Sequence, residues 1–199
     1  MTPFQRSVWI NEIVVVVPGA AVERVWVEIV QAHAIHKVKK VIPGGERRQD
    51  SVRLGLEAAG PSWDLVLIHD GARPLVTDDM ISRCVQGTQD KGATFMGVPA
   101  IDTVKQVDGA GRVLRTLDRE RLWMVQTPQT FRYHLIVRAH RQAEQDGFTG
   151  TDDASLVERL GHDVWAIPGS YENIKVTTHM DLILAEGILA QRTARGAGG

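Results

Sequence analysis

Three clusters in this chain combine residue types and spacings that could do chemistry. The first is Gly44-Gly45-Glu46-Arg47-Arg48-Gln49-Asp50-Ser51. Glycines opening onto an amphipathic run leave backbone N–H groups free, and with a guanidinium they suit an anion or the polar edge of a base. A plain Pro-Gly-Gly loop with an Asp/Ser helix cap is the competing reading of the same residues. The second cluster, His69-Asp70-Gly71-Ala72-Arg73-Pro74, directly follows an apolar run. A carboxylate there can hold a hard cation such as Mg2+, which keeps waters and takes one or two carboxylates plus substrate phosphates. The competing reading is a turn in which Asp70 accepts backbone hydrogen bonds and pairs with Arg73. The third cluster is dispersed over loops: Thr103, Lys105, Arg119, Thr127, Thr151 to Asp153, Asn173, Lys175 and Thr177. Such residues offer donors and positive charge to phosphate without acting as acids or bases.

Other constellations are weak. His33 and His36 lie three apart with no carboxylate at metal-ligand spacing, and read as exposed helix residues. Cys84 occupies an apolar helical position and reads as a small core residue. No Gly-x-Ser-x-Gly elbow occurs, and no Gly-x-Gly-x-x-Gly follows the first strand. The scattered tryptophans make no stacking platform for nucleic acid.

The elements that must position these clusters alternate between strand and helix. Ile13–Val17 is β-branched and continuous, as in a strand covered on both faces of a parallel sheet. Positions 20–34 carry Val22, Val25, Ile29 and Val30 at helical spacing. Strands follow at 38–42, 64–70, 94–99 and 163–168, and helices at 51–59, from Thr77, at 133–145, 152–160 and 180–192, with a frayed tail at 195–199. All three clusters then fall at strand ends, where ligands bind in open α/β sheets. The expected fold is α/β, a doubly wound, mostly parallel, Rossmann-like sheet forming one domain over residues 1–199. Two alternating runs about Gly109–Gly111 break the rhythm and predict a projecting β-hairpin arm at about 103–126.

Composition bounds the reading. The chain has 199 residues with 23 basic and 24 acidic side chains, so no global charge draws it to nucleic acid or an anionic membrane. One cysteine excludes an internal disulfide and a thiolate-rich zinc site. Apolar runs are only strand-length, and positions 1–11 lack a signal-peptide core, so the expected compartment is the cytoplasm.

Taken in order, Gly44-Gly45-x-x-Arg48-x-x-Ser51-Val52, His69-Asp70-x-Ala72-Arg73-Pro74, Asp102-Thr103-Val104-Lys105, Asp118-Arg119-x-x-Leu122-Trp123, Thr127-Pro128-Gln129, Thr151-Asp152-x-Ala154-Ser155 and Asn173-Ile174-Lys175-Val176-Thr177 resemble the 2-C-methyl-D-erythritol 4-phosphate cytidylyltransferases of non-mevalonate isoprenoid biosynthesis. The resemblance runs from about Trp9 to the final helix. It implies a nucleotidyltransferase joining CTP and methylerythritol phosphate with Mg2+, and a homodimer with interlocked arms. By that similarity Gly44, Gly45, Arg48, Ser51 and Gly71 line the nucleotide pocket, Asp70 holds Mg2+, and Lys175 contacts the α-phosphate. Thr103, Lys105, Thr127, Thr151 and a partner's Arg119 form the methylerythritol phosphate pocket. A ribitol 5-phosphate cytidylyltransferase shares most of the nucleotide motifs, and a homologue that binds ligand or dimerises without turnover is the remaining alternative. The resembled family also begins with a strand, a Gly-rich loop carrying an Arg and a Pro-Lys, and a helix, which Met1 to Ser7 do not contain. The resemblance therefore implies a chain truncated relative to the family, with a sheet position vacant between Ile13 and Leu65.

Overall fold

The computed structural model describes residues 1–196. The elements are α1 (Thr2–Arg6), β1 (Ile13–Val17), a helical segment, β2 (Val38–Pro43), α3 (Arg48–Ala59), β3 (Leu65–Ile68), α4 (Asp78–Lys91), β4 (Ala93–Pro99), β5 (Lys105–Val107), β6 (Val113–Thr116), β7 (Trp123–Arg132), α5 (Tyr133–Gln145), α6 (Asp153–Arg159), β8 (Trp165–Pro168) and α7 (His179–Gly196). β1 pairs parallel with β2. A second sheet has the order β3-β7-β4-β8, with β8 parallel to β4 and β7 antiparallel to both β3 and β4. The mostly parallel Rossmann-like architecture is present, with β7 inverted within it. β5 and β6 form the expected antiparallel hairpin of the arm.

The strand at β7 corrects the arm's expected end. It starts at Trp123, inside the span assigned to the arm, and runs between β3 and β4. Its Pro128 cannot donate a ladder hydrogen bond, and the β4 register slips opposite it, between Phe95 and Gly97. Buried Gln126, Thr127, Gln129 and Thr130 fill this strand, an unusual content for a core.

The helical segment after β1 also differs from expectation. It passes from a 3-10 turn (Gly19–Ala21) through α2 (Val22–Arg24) into a π-helix (Val25–Gln31). The wider turn rotates less per residue, so Val30 points inward while Ile29, expected on the same face, is exposed. The closing helix continues to Gly196 where a frayed tail was expected from Arg195, and positions 197–199 lie outside the described residues.

The core forms in three parts. Leu56, Phe131, Ile136, Leu156 and Val157 lie between α3, α5, α6 and the larger sheet. Ile81, Cys84, Val85 and Met96 lie under α4, which starts with the Thr77 hydroxyl accepting from the Met80 N–H. Val30, Ile35 and Val38 close the smaller sheet. Between the sheets, β1 and β3 each lack a strand partner on one side. A cavity of about 720 Å³ separates them, lined by Ile13–Val16 and Leu65–Ile68 and reaching Arg48, Ser51 and Asp70 at one end.

Candidate functional site

Gly44 and Gly45 fold the chain tightly onto the first turn of α3. The Gly44 N–H donates to the Val17 carbonyl at 2.8 Å, and the Gly45 N–H to Ser51 Oγ at 3.1 Å. A Cβ on Gly45 would stand 2.5 Å from Asp50 Cβ, and one on Gly44 would stand 2.6 Å from Ser51 Oγ, so neither position has room for a side chain. The Asp50 carboxylate caps the helix by accepting from the Arg47 N–H at 3.2 Å. The expected glycine turn, α3 start and Ser51 are thus one unit.

Asp70 follows β3 at the carboxyl end of the strand. Its Oδ1 accepts from Arg48 Nε at 2.9 Å and its Oδ2 lies 3.0 Å from Lys175 Nζ. Burial pushes this carboxyl up, but Lys175 and Arg48 outweigh burial and hold it below the usual carboxylate range. Burial likewise lowers the Arg48 guanidinium, while Asp153 and Asp70 outweigh it and raise the group above its ordinary value. The pairing of Asp70 with Arg73 does not form. Arg73 instead donates to the Asn173 carbonyl at 2.7 Å, and the Val176 N–H donates to the Ala72 carbonyl at 2.7 Å. Asn173 is fully buried and its amide donates to the Thr127 carbonyl at 2.9 Å. These bonds fix the loop that carries Lys175.

The other side of Asp70 is set by His69. Its Nε2 lies 3.0 Å from the Arg73 carbonyl, which can only accept, so the proton is on Nε2 and Nδ1 is an acceptor. The Thr127 hydroxyl donates to Nδ1 at 3.1 Å and accepts from the Asp70 N–H at 3.1 Å. Thr127, expected to face substrate, therefore spends its hydroxyl on the His69 ring and the Asp70 backbone. Burial pushes His69 down to about 4, against the Arg73 carbonyl and Asp70, which raise it. The imidazole is neutral at physiological pH and acts as a fixed strut.

The structure brings together Gly44, Gly45, Arg48, Ser51, Asp70, Gly71, Thr127 and Lys175. Thr151 is exposed immediately before Asp152, whose side chain caps α6 by accepting from the Ser155 N–H at 2.9 Å. Thr103, Lys105 and Arg119 are exposed on the arm. There Lys105 Nζ donates to Thr116 Oγ1 at 2.7 Å and Arg119 to the Ile101 carbonyl at 2.9 Å, away from Asp70. Sequence reasoning put His69 and Asp153 in candidate clusters without their partners, and missed His140. The available signal was a histidine on the apolar face of α5, between Ile136 and Ala143.

Arg48 and Lys175 meeting on Asp70 beside a glycine turn that opens a helix, at the carboxyl end of β3 in a Rossmann-like sheet, fit the nucleotidyltransferase class. Residues 2–191 match the family model described as IspD, 2-C-methyl-D-erythritol 4-phosphate cytidylyltransferase. A cytidylyltransferase of that name from Pelotomaculum thermopropionicum is 52% identical over 167 residues, covering 84% of this chain and 70% of the relative. One from Syntrophus aciditrophicus is 46% identical over 191 residues, covering 96% and 82%. The crystal structure of 4-diphosphocytidyl-2C-methyl-D-erythritol synthase from Anaerococcus prevotii superposes with a TM-score of 0.87 at 30% identity, covering 95% of this chain and 83% of that one. The chain belongs to the 2-C-methyl-D-erythritol 4-phosphate cytidylyltransferase family.

Proposed function

We propose that this protein joins CTP and 2-C-methyl-D-erythritol 4-phosphate into 4-diphosphocytidyl-2-C-methyl-D-erythritol. The observation that carries the reading is the Asp70 carboxylate held between Arg48 and Lys175 beside the Gly44-Gly45 turn. A phosphate-monoester oxygen, already ionised at neutral pH, attacks the α-phosphorus. A bond forms from that oxygen to phosphorus, the α–β bridging bond breaks, and pyrophosphate leaves. Alignment and charge neutralisation carry such a step, so the absence of a general base from the role of each residue is chemically consistent. Gly44, Gly45, Gly71 and Ser51 border the base and ribose, Arg48 orients the nucleotide, and Lys175 approaches the α-phosphate.

Asp70 would hold a Mg2+ ion through a second lone pair on one of its oxygens, since Oδ1 carries one partner, Arg48, and Oδ2 one, Lys175. A Mg2+ site needs only one or two carboxylates when substrate phosphates and waters complete it, and the described residues contain no cluster of three or more His, Cys, Asp or Glu. Bound there, the ion supplies charge neutralisation on the triphosphate. Thr103, Lys105, Thr151 and the Thr127 neighbourhood take the methylerythritol phosphate. Arg119 reaches that pocket from a second copy, in a homodimer whose arms cross. Exposed Val107, Val113 and Leu114 on the arm support that association, since isolated apolar strands favour burial. No described helix is long and apolar enough to cross a membrane.

Turnover with each acceptor tests the reading. Pyrophosphate release with methylerythritol phosphate well above that with ribitol 5-phosphate is expected. The reverse order would assign the ribitol activity, and release with neither would remove the function.

A further inference from the structure

Behind Arg48 lies a buried chain that the reaction does not require. Arg48 donates from Nε to Asp70, and its Nη1 lies 2.8 Å from Oδ2 of Asp153 as an ion pair that is close but not aligned as a hydrogen bond, so the contact is one of charge. The Asp153 carboxylate is only 1% exposed, and its Oδ1 lies 3.2 Å from Nε2 of His140, itself 2% exposed. His140 projects from the apolar face of α5, among Leu135, Ile136, Ala139 and Ala143. An apolar residue would serve packing there, and a buried carboxylate is costly unless it is paired, as Asp153 is with the Arg48 charge and the His140 ring. Nδ1 of His140 has no hydrogen-bond partner, so the ring's one polar contact is the contact to Asp153. The chain His140–Asp153–Arg48 thus ends on a guanidinium that also holds Asp70 and keeps about a third of its side chain exposed at the site.

We infer that His140 is a positioning residue: by anchoring Asp153 it fixes the orientation in which Arg48 meets the nucleotide. The inference rests on the nucleotide-facing role given to Arg48 above. Its effect falls on nucleotide binding, because His140 and Asp153 are almost wholly buried and connect to the site through Arg48.

His140→Leu keeps roughly the ring's volume and removes the donor, while His140→Gln keeps an N–H. In the full chain, His140→Leu is expected to raise KM for CTP by about tenfold, the scale of one hydrogen bond to a charged group, with kcat and KM for the second substrate within about twofold. His140→Gln is expected to recover most of that loss. Combining His140→Leu with Arg48→Lys should add little beyond Arg48→Lys alone, because a lysine cannot span both carboxylates. Multiplying effects, or a loss in kcat equal to the loss in affinity, would overturn the inference. A second measurement stands apart from turnover. The imidazole 15N resonances of His140 should move in Arg48→Lys and stay in place in Arg47→Lys, whose exposed arginine pairs with Asp50. Unmoved resonances in Arg48→Lys would overturn the relay, whereas moved resonances in a protein that releases no pyrophosphate would uphold it and sink the proposed reaction.

Discussion

Acid should destabilise this protein in a way that a single substitution removes. His69 is neutral in the folded chain and titrates at about 4, compared with 6.5 for the ordinary side chain, chiefly because it is buried. As pH falls below 6.5 the unfolded chain takes up a proton that the folded chain refuses, so protonation favours unfolding. The stability at risk is complete above 6.5 and lost by about 4. At 1.36 kcal/mol per pH unit, that interval is worth about 3 kcal/mol. His69→Gln can preserve a donor toward the Arg73 carbonyl and an acceptor toward the Thr127 hydroxyl without titrating. Urea unfolding of both proteins at about pH 7 and about pH 4.5 measures the effect. Acid losses from Asp70, Asp50 and other carboxylates are common to both proteins and cancel in the comparison. The parent should lose about 2–3 kcal/mol more than His69→Gln over that range. Equal losses would refute the buried, neutral assignment of His69.

Asp70→Asn should lower pyrophosphate release on the order of 10²-fold or more, because it removes the charge that holds Arg48 and Lys175 together; steady-state kinetics measures this. Gly45→Ala forces a Cβ against Asp50 and should cost about 1–3 kcal/mol in chemical unfolding together with CTP affinity. Gly71→Ala meets nothing within 4 Å and should stay within about 0.5 kcal/mol of the parent. Mixing inactive Arg119→Ala with inactive Lys175→Ala should restore part of the turnover if arms cross between copies, because one mixed site then has both residues. Amide hydrogen exchange should be faster along the open edges of β1 and β3 than in β4, which is paired on both sides.

The legible parts of this molecule were those with local physical signatures. The β-branched run of β1, the Thr77 cap of α4 and the Gly109–Gly111 turn each follow from short-range chemistry, and each stands where expected. Gly44, Gly45 and Ser51 were legible for the same reason, because a glycine turn against a helix start is set within eight residues. β7 was not legible as a core strand. Its Gln126, Thr127 and Gln129 are tolerated only because partners remote in sequence answer them: Ser170 and Asn173 for Gln126, His69 for Thr127, and Asp152 and Ala154 for Gln129. Ile29 was misplaced because helical periodicity was read at the α-helical turn, and the chain adopts the wider π turn. The competing turn reading of the second cluster pairs Arg73 with its sequence neighbour Asp70, whereas folding offers it the carbonyl of Asn173, a hundred residues away. Arg48 and Lys175 could each be suspected from the sequence. Their meeting on one carboxylate is a tertiary fact.

The most direct test of the central claim is pyrophosphate release from CTP with Mg2+, measured with and without 2-C-methyl-D-erythritol 4-phosphate, for the parent chain and Lys175→Ala. Release that depends on the acceptor and falls on the order of 10²-fold or more in Lys175→Ala is the predicted result. Release that is independent of the acceptor, undiminished in Lys175→Ala, or absent from the parent would contradict the account.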